Sequence, residues 1–305
     1  MPQLFTVVPP EMDGMRIDAA ISQLTGVSRS WATEIIAADG AQIGNRVLKK
    51  SDKLSAGQEL MLRWQPKPEP TVVPEIIPGL KIVHDDDELV VVSKPPGVAA
   101  HPSNGWYGPT VLGGLAALGY SIATSGAEER QGIVHRLDQG TSGLMVVAKS
   151  EYAYAELKRQ FKAREVRKIY HTVVHGYPDP LAGTIDAPIG RDNRSAWKFA
   201  VTADGRHAIT HYETLEIFPA ATLLEVGLET GRTHQIRVHM SSLNHPCVGD
   251  VTYGADPKMA AQLGLERQWL HAYEIEFTHP GSGERVMFSA DYSADLERAL
   301  EILSS

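Results

Sequence analysis

A single cysteine, Cys247, stands in the 305 residues, which excludes an intrachain disulfide and any zinc site built on two or four thiolates. No apolar run approaches the ~18 residues of a membrane-spanning helix, and the opening MPQLFTVVPPEMDG lacks the basic-then-apolar order of a secretory leader. A cytoplasmic protein with no membrane partner is therefore expected. Also missing are a Walker A loop, a GxGxxG turn after a strand, a GxSxG elbow and an HExxH helix. With no cysteine nucleophile in prospect either, the common nucleotide-hydrolysing, dinucleotide-binding, serine-hydrolase and zinc-protease chemistries drop out. Neither a low-complexity tract nor an internal repeat of roughly 20 to 50 residues is visible. Basic residues are in deficit, 29 Lys plus Arg against 37 Asp plus Glu, and a net charge of −8 argues against a nonspecific polyanion binder.

What is present is an ordinary globular mixture, 43% apolar and 22% charged, in a chain longer than the ~250 residues at which single cores stop growing. Two domains are expected. Five prolines between residues 65 and 78 disfavour helix and suit a stiff extended connector, placed at 66–79. Upstream, residues 1–65 form a small module: helices over 16–24 and 30–38, the second capped by Ser28 or Ser30, then strands over 42–49 and 58–64. Downstream, in a second domain over 80–305, β-branched runs at 88–93, 144–149, 168–174, 222–229, 273–278 and 285–289 read as strands. Helical patterns at 110–118, 152–164, 233–243 and 294–303 interrupt them without regular alternation. The expected class is α+β, a mixed or antiparallel central sheet with flanking helices.

Three stretches concentrate chemistry. In Gly132 to Lys149 two apolar runs flank a loop that puts His135, Arg136 and Asp138 within four residues, followed by turn glycines. That loop is either a functional site or a local turn in which Asp138 caps its own backbone amides. In Glu229 to His239 a strand gives way to a helix with Ile236, Met240 and Leu243 on one stripe, which sets Arg237 at the edge of the buried face. There it reaches into a cleft or pairs with a surface acid. His234 and His239 are five apart, the wrong spacing for a helical metal pair. In Arg167 to Val174, alternation places Tyr170 on the face of Lys168, either in the core or beside a phosphate track. Between Lys158 and Lys168, six basic side chains meet one acid, a stripe that reads as a solvated helix face or a polyanion contact. Asn193-Arg194-Ser195 matches a glycosylation sequon by chance.

These same residues carry a resemblance. His135-Arg136-Leu137-Asp138 with Thr141-Ser142-Gly143, Arg167-Lys168-Ile169-Tyr170, and Gly231-Arg232-Thr233-His234-Gln235-Ile236-Arg237 resemble the three motifs of the RluA/RluD family of RNA pseudouridine synthases. Further similar segments are Lys94-Pro95-Pro96-Gly97, His101-Pro102, Pro188-Ile189-Gly190-Arg191, His245-Pro246, Gly249-Asp250 and Leu270-His271-Ala272, in order over residues 80 to 290. The resemblance implies a pseudouridine synthase fold and conversion of uridine in structured RNA, large-subunit ribosomal RNA above all, to pseudouridine. By matching position, Asp138 is the catalytic aspartate, Arg237 its partner and Tyr170 the tyrosine that stacks on uracil. Arg136 fills the space of a flipped nucleotide, and His135, Thr141, Arg167, Lys168, Arg232, His234 and Gln235 contact substrate. The first domain resembles an S4 RNA-binding module, with Arg16, Arg29, Lys49, Lys50 and Lys53 as RNA contacts, although Gly44-Asn45-Arg46 departs from that module's usual turn. No metal or cofactor is implied, and a monomer is expected. Two rivals stand beside this reading: a noncatalytic RNA-binding or ribosome-assembly factor, and a glycoside or nucleoside hydrolase, which would need a second acid beside Asp138.

Overall fold

The computed structural model describes residues 2–27, 29–65, 71–103, 106, 108–192 and 195–305. It divides into two compact units, Met1–Glu69 and Pro70–Ser305. In the first, β1 (Gln3–Val7) is followed by α1 (Ile17–Thr25), α2 (Arg29–Ala37), β2 (Ala41–Ile43), β3 (Arg46–Val47) and β4 (Glu59–Arg63). The strands form one antiparallel sheet in the order β1-β4-β2-β3. Helical spacing explains its core, because Ile17, Ala20 and Ile21 of α1 and Ala32, Ile35 and Ile36 of α2 each line one face and bury against Leu60 and Leu62. The single strand expected over 42–49 is two strands, since Gly44 turns the chain with φ +55. Of the expected caps, Ser28 and the side chain of Ser30 lie outside the described residues.

Residues 66–70 of the expected connector also lie outside the described residues, and 71–79 are more than a spacer. Ile77 is buried and the Glu75 N–H donates to the Gly113 carbonyl of α3 (Val111–Ala117). A Cβ on Gly113 would sit 2.5 Å from the Val73 carbonyl oxygen, and one on Gly114 would strike Ile77 at 2.8 Å, so the glycine pair admits this strap. The second unit's core therefore begins before residue 80.

That unit is built on a nine-stranded sheet. Its first strands are β5 (Lys81–Asp85), β6 (Leu89–Lys94) and β7 (Ser142–Ala148); after α4 (Glu151–Ala163) come β8 (Arg167–His175) and β9 (Ala182–Asp186). A separate hairpin of β10 (Ile189–Asp192) and β11 (Ser195–Val201) precedes β12 (Ile209–Phe218) and β13 (Ala221–Leu228). Then follow α5 (Gln235–Ser242), α6 (Pro257–Gln262), β14 (Leu270–Thr278), β15 (Arg285–Ser289) and α7 (Ala294–Leu303). The order is β5-β6-β7-β14-β8-β13-β12-β9, with β15 beside the far half of β14. Every pair is antiparallel except β7 with β14, which makes the sheet mixed, as the class assignment requires.

Apolar content on both faces covers the centre on both sides. Val90, Val92, Met145 and Val147 pack with α3 and α5, whereas Leu89, Val91, Leu144 and Val146 pack with Ala153, Tyr154 and Leu157 of α4. This is the period-2 alternation of a strand buried on both faces. Trp269, Leu296, Ala299 and Leu303 close the second face below β8 and β13. Strands β5, β9, β10, β11 and β12 and helix α6 escaped the sequence pattern; in β12, Thr210, His211, Glu213 and Glu216 interrupt any apolar run.

The loop ahead of β7 owes its course to the sheet. Beyond Ala272, β14 leaves β7 to pair with β15. The vacated edge of β7 is taken by residues 132–135: the Ala148 N–H donates to the Gly132 carbonyl and the Val146 N–H to His135 Nε2, 2.9 Å away. His135, stacked on Phe161 with centroids 4.7 Å apart, thus completes a sheet edge and does not line the cleft described below, a correction to its expected role as a substrate contact. Gly143, the second residue of β7, has φ +108, and a Cβ there would lie 2.2 Å from the Ala272 carbonyl oxygen.

Gly143→Ala should therefore cost at least ~2 kcal/mol, read as an earlier urea or thermal transition, because strain and overlap fall on backbone. Burial holds His135 down to about 3, with the Lys168 cation adding to it, and holds His171 and His271 down to about 4. Unfolded histidine protonates near 6.5, so below that pH the unfolded chain binds more protons than the native one and stability falls with pH. Urea unfolding at pH 5 should show a loss on the order of 2 kcal/mol per histidine relative to pH 7. Equal stability at the two pH values would mean these rings are not buried neutral.

Candidate active site

Residues 136–141 approach the cleft where β7 begins, and four interactions fix their path. Leu137 is buried in the core. Lys94, wholly buried at the end of β6, donates from Nζ to the carbonyls of Pro95, Val98 and Gln139 at 3.0, 2.8 and 3.1 Å. The Gly97 N–H also reaches the Gln139 carbonyl, at 3.0 Å. Arg267 Nη1 takes the Gly140 carbonyl at 2.8 Å, while the rest of its guanidinium binds Ser293 and Asp295 at the start of α7. Burial pulls the Lys94 ammonium down to about 7, with Arg267 acting in the same sense and the charge of Asp138 opposing. Three carbonyl acceptors for three ammonium protons make Lys94 a strut for the loop.

Asp138 emerges from this scaffold with its side chain 19% exposed. Its Oδ2 accepts from Arg237 Nη1 at 3.2 Å and lies 3.8 Å from His234 Nε2. The Asx-turn alternative falls away, since the local turn bond, from the Thr141 N–H, goes to the Asp138 main-chain carbonyl. Arg237 sits in the first turn of α5. The helix starts at Gln235, later than residue 233, because Gln235 Oε1 accepts from Thr230 and the Arg232 N–H and His234 adopts φ +57. The guanidinium is buried, 4.9 Å from the Tyr253 ring, and its Nε and Nη2 donate to Asp250 at 2.6 and 3.0 Å. Asp250 and Asp138, with its hydrogen bonds to both, hold its proton more firmly than usual despite burial.

A cleft of about 100 Å³ lies against this pair, lined also by Arg136, Thr141, Tyr170, Arg232, His234 and Gln235. Among its described lining residues Asp138 is the sole carboxylate. Tyr170 presents its ring from β8, and burial, then the Asp138 charge, push its phenol up. His234 accepts from or donates to the Tyr253 hydroxyl through Nδ1 at 2.8 Å, and burial pulls it down against the opposing charge of Asp138. A second space of about 710 Å³ shares Asp138, His234 and Arg237 and opens toward Val251 and Glu266. A carboxylate beside a fixed cation, an aromatic wall and exposed Arg136 at the rim can receive a planar ring with an attached anionic backbone.

Several expectations need correction. Gln235 Nε2 is spent on the Ile209 carbonyl and Thr210, so its amide is committed to the fold. Arg167 does not enter the cleft: it pairs with Glu274, and with Glu276 at 3.8 Å. Lys168 is half-buried outside the cleft, and burial lowers it to about 8. Acids neutralise much of the basic stripe, Arg159 by Glu156 and Glu165, and Arg164 by the distant Glu229 at 3.6 Å. Asp250 is the second acid that the sequence reading did not place beside Asp138, but both its oxygens are committed to Arg237. Elsewhere, His84, Asp86 and His279 converge. There His279 Nδ1 accepts from the Gly281 and Ser282 amides, which leaves the proton on Nε2 to donate to Asp86 at 2.9 Å.

The chain has relatives of known family. Residues 88–242 match the family model for RNA pseudouridylate synthase. The chain is 56% identical to an uncharacterized RNA pseudouridine synthase of Mycobacterium bovis, covering 97% of this chain and 96% of that one. It is 40% identical to ribosomal large subunit pseudouridine synthase D of Xanthomonas campestris, over 97% and 91% of the two chains. The solved structure of human RNA pseudouridylate synthase domain containing 1 superposes with a TM-score of 0.60 at 26% identity, covering 74% of this chain and 89% of that one. With its cleft, its mixed sheet and these relatives, the chain belongs to the RNA pseudouridylate synthase family and is an RNA-modifying isomerase.

Proposed function

We propose that this enzyme converts uridine in large-subunit ribosomal RNA to pseudouridine, with Asp138 as its catalytic carboxylate acting on a nucleotide turned out of its stack. The observation that carries the reading is the Asp138–Arg237 contact at 3.2 Å on the wall of a cleft also lined by Tyr170. The RNA class rests on the relatives, among them the large-subunit enzyme of Xanthomonas campestris.

The isomerisation breaks the bond from uracil N1 to ribose C1′ and forms one from C5 to C1′; C5 loses a proton and N1 gains one. Atoms balance without an oxidant, water or metal. Asp138 supplies the nucleophile or base, Arg237 orients it, and Tyr170 offers a face for the freed uracil to stack on while it turns. Unstacking a base costs a few kcal/mol, and Arg136 at the exposed rim is placed to occupy the gap. Every group comes from one polypeptide, so a monomer suffices. A noncatalytic binder would have no use for a carboxylate facing a polyanion, and a hydrolase would need its second acid free, unlike Asp250.

The first unit is assigned RNA docking in the manner of an S4 module. Arg16 and Arg29 both bind Asp18, Nε to Oδ1 and Nη2 to Oδ2 at 3.0 Å each, which sets two exposed guanidiniums side by side at the starts of α1 and α2. Lys49, Lys50 and Lys53 are exposed as well, and Lys53 forms an isolated antiparallel bridge with Arg16.

Asp138→Asn should abolish pseudouridine formation while RNA affinity stays within about tenfold, since the residues that meet phosphate are untouched; turnover by that variant removes the carboxylate from the chemistry. Arg237→Met should fold and lose activity, and unchanged kinetics would mean that the pair has no part in catalysis. Replacing Lys49, Lys50 and Lys53 with alanine should weaken RNA binding and flatten its salt dependence by about one unit of slope for each phosphate no longer neutralised. An unaltered slope would place the RNA elsewhere.

A further inference from the structure

We propose that the larger space beside the cleft is a base subsite for a guanine that flanks the target uridine, with the Glu266 carboxylate accepting from the guanine N1–H and N2 amino group. The inference rests on the reading of the cleft as the place where the uridine reacts. Glu266 itself lies outside the 88–242 family match.

The two spaces differ in charge. The cleft sets Arg136, Arg232 and Arg237 against the lone carboxylate of Asp138. The larger space, about 710 Å³, has four acids among its described lining residues, Asp138, Asp250, Glu266 and Asp295, against two arginines. Both arginines are already spent, Arg237 on Asp138 and Asp250, and Arg267 on Asp295, Ser293 and the Gly140 carbonyl. A phosphate would meet uncompensated negative charge there, whereas a base edge rich in N–H groups would be held. The volume is of the size that takes a nucleotide. Because the two spaces share Asp138, His234 and Arg237, a nucleotide next to the one in the cleft is tethered within reach of it.

Glu266 is the acid available to meet that edge. It is exposed and, among the described residues, has no hydrogen bond or ion pair, whereas Asp138, Asp250 and Asp295 each engage an arginine. Val251, 62% exposed, lines the same space and offers an apolar surface to a ring. The segments that carry the two are pressed together: the Trp269 N–H donates to the Val248 carbonyl at 2.7 Å, and a Cβ on Gly249 would lie 2.0 Å from the Arg267 carbonyl oxygen. The acceptor therefore stands on fixed backbone. A carboxylate has two oxygens, and its best partner offers two adjacent donors. Guanine does so, with N1–H beside the N2 amino group. Cytosine and adenine put a ring-nitrogen lone pair next to their amino group, and uracil flanks N3–H with two carbonyls, so each would set an acceptor against the acid.

The test uses the full chain and total RNA from cells lacking this gene, in which the uridines that the wild-type protein converts are mapped. A guanine should lie within about two nucleotides of the converted uridine, the reach of an adjoining subsite. A transcript carrying the mapped site is then made with that guanine or with adenine in its place, and kcat/KM is measured on both. The wild-type protein should lose about tenfold or more on the adenine RNA. Glu266→Ala, a surface change at a residue without partners, should fold. It should lose about as much on the guanine RNA and no more on the adenine RNA, since one interaction can be removed only once. Glu266→Gln pairs an acceptor and a donor with adenine N6–H and N1, and should turn the preference toward adenine. A mapped site with no guanine in reach overturns the inference, and so does a guanine preference of wild-type size in Glu266→Ala or Glu266→Gln. Tighter binding of both RNAs by Glu266→Ala with the preference intact would mark Glu266 as a mere repelling charge, and also overturns it. Asp138→Asn is assayed in parallel. Activity there removes the catalytic reading, and conversion confined to another RNA removes the large-subunit reading, whereas the guanine comparison is decided apart from both.

Discussion

One guanidinium sets the terms for the rest of the catalytic unit. Arg237 is buried with two carboxylates against it, and a charge so placed is stable only if its partners are held where they are needed. The three come from separate pieces of backbone: the loop ahead of β7, the first turn of α5, and the turn that follows Gly249. Much of the architecture around the cleft brings these pieces together and keeps them from drifting.

The means are mostly backbone carbonyls claimed by the N–H groups of a buried lysine and a part-buried arginine. Lys94 takes those of Pro95, Val98 and Gln139, and Arg267 takes that of Gly140 while binding the first turn of α7. A loop, which would otherwise be the mobile part of a sheet protein, is thereby tied to β6 on one side and to the C-terminal helix on the other. The pairing of β7 with β14 contributes as well. It is parallel and short, and where it ends His135 and Gly132 take over the edge, so the segment that leads into Asp138 doubles as sheet. Motif residues that look equivalent in a line of text thus divide into those whose side chains line the cleft uncommitted to the sheet, such as Arg136 and Asp138, and those that complete the fold, such as His135 and Gln235.

How much could be read in advance depended on whether a signal was local. Strands with uninterrupted apolar runs, β6 through Leu89–Lys94 and β7 through Ser142–Ala148, were legible because burial on both faces demands such runs. Helices α4 and α7 were legible from their stripes. Strands β9 and β12 were not, since one face is wet and their pairing partners, rather than their own composition, make them strands. The basic stripe misled for a related reason: Glu229 and Glu274, which neutralise Arg164 and Arg167, are far away in the chain.

Residue order alone determined the α+β class, the likeness to a family of RNA-modifying enzymes, and the identity of the carboxylate and arginine that meet in the cleft, because each is written in a contiguous pattern of side chains. Tertiary structure alone decided that Arg237 answers to Asp250 as well as Asp138, that Lys94 and Arg267 brace the loop, and that His135, Arg167 and Lys168 stand outside the cleft. The physical reason is that the energy of a charge or a buried polar atom depends on what lies within a few ångströms of it, and for these groups that neighbourhood is assembled from segments up to 127 residues apart.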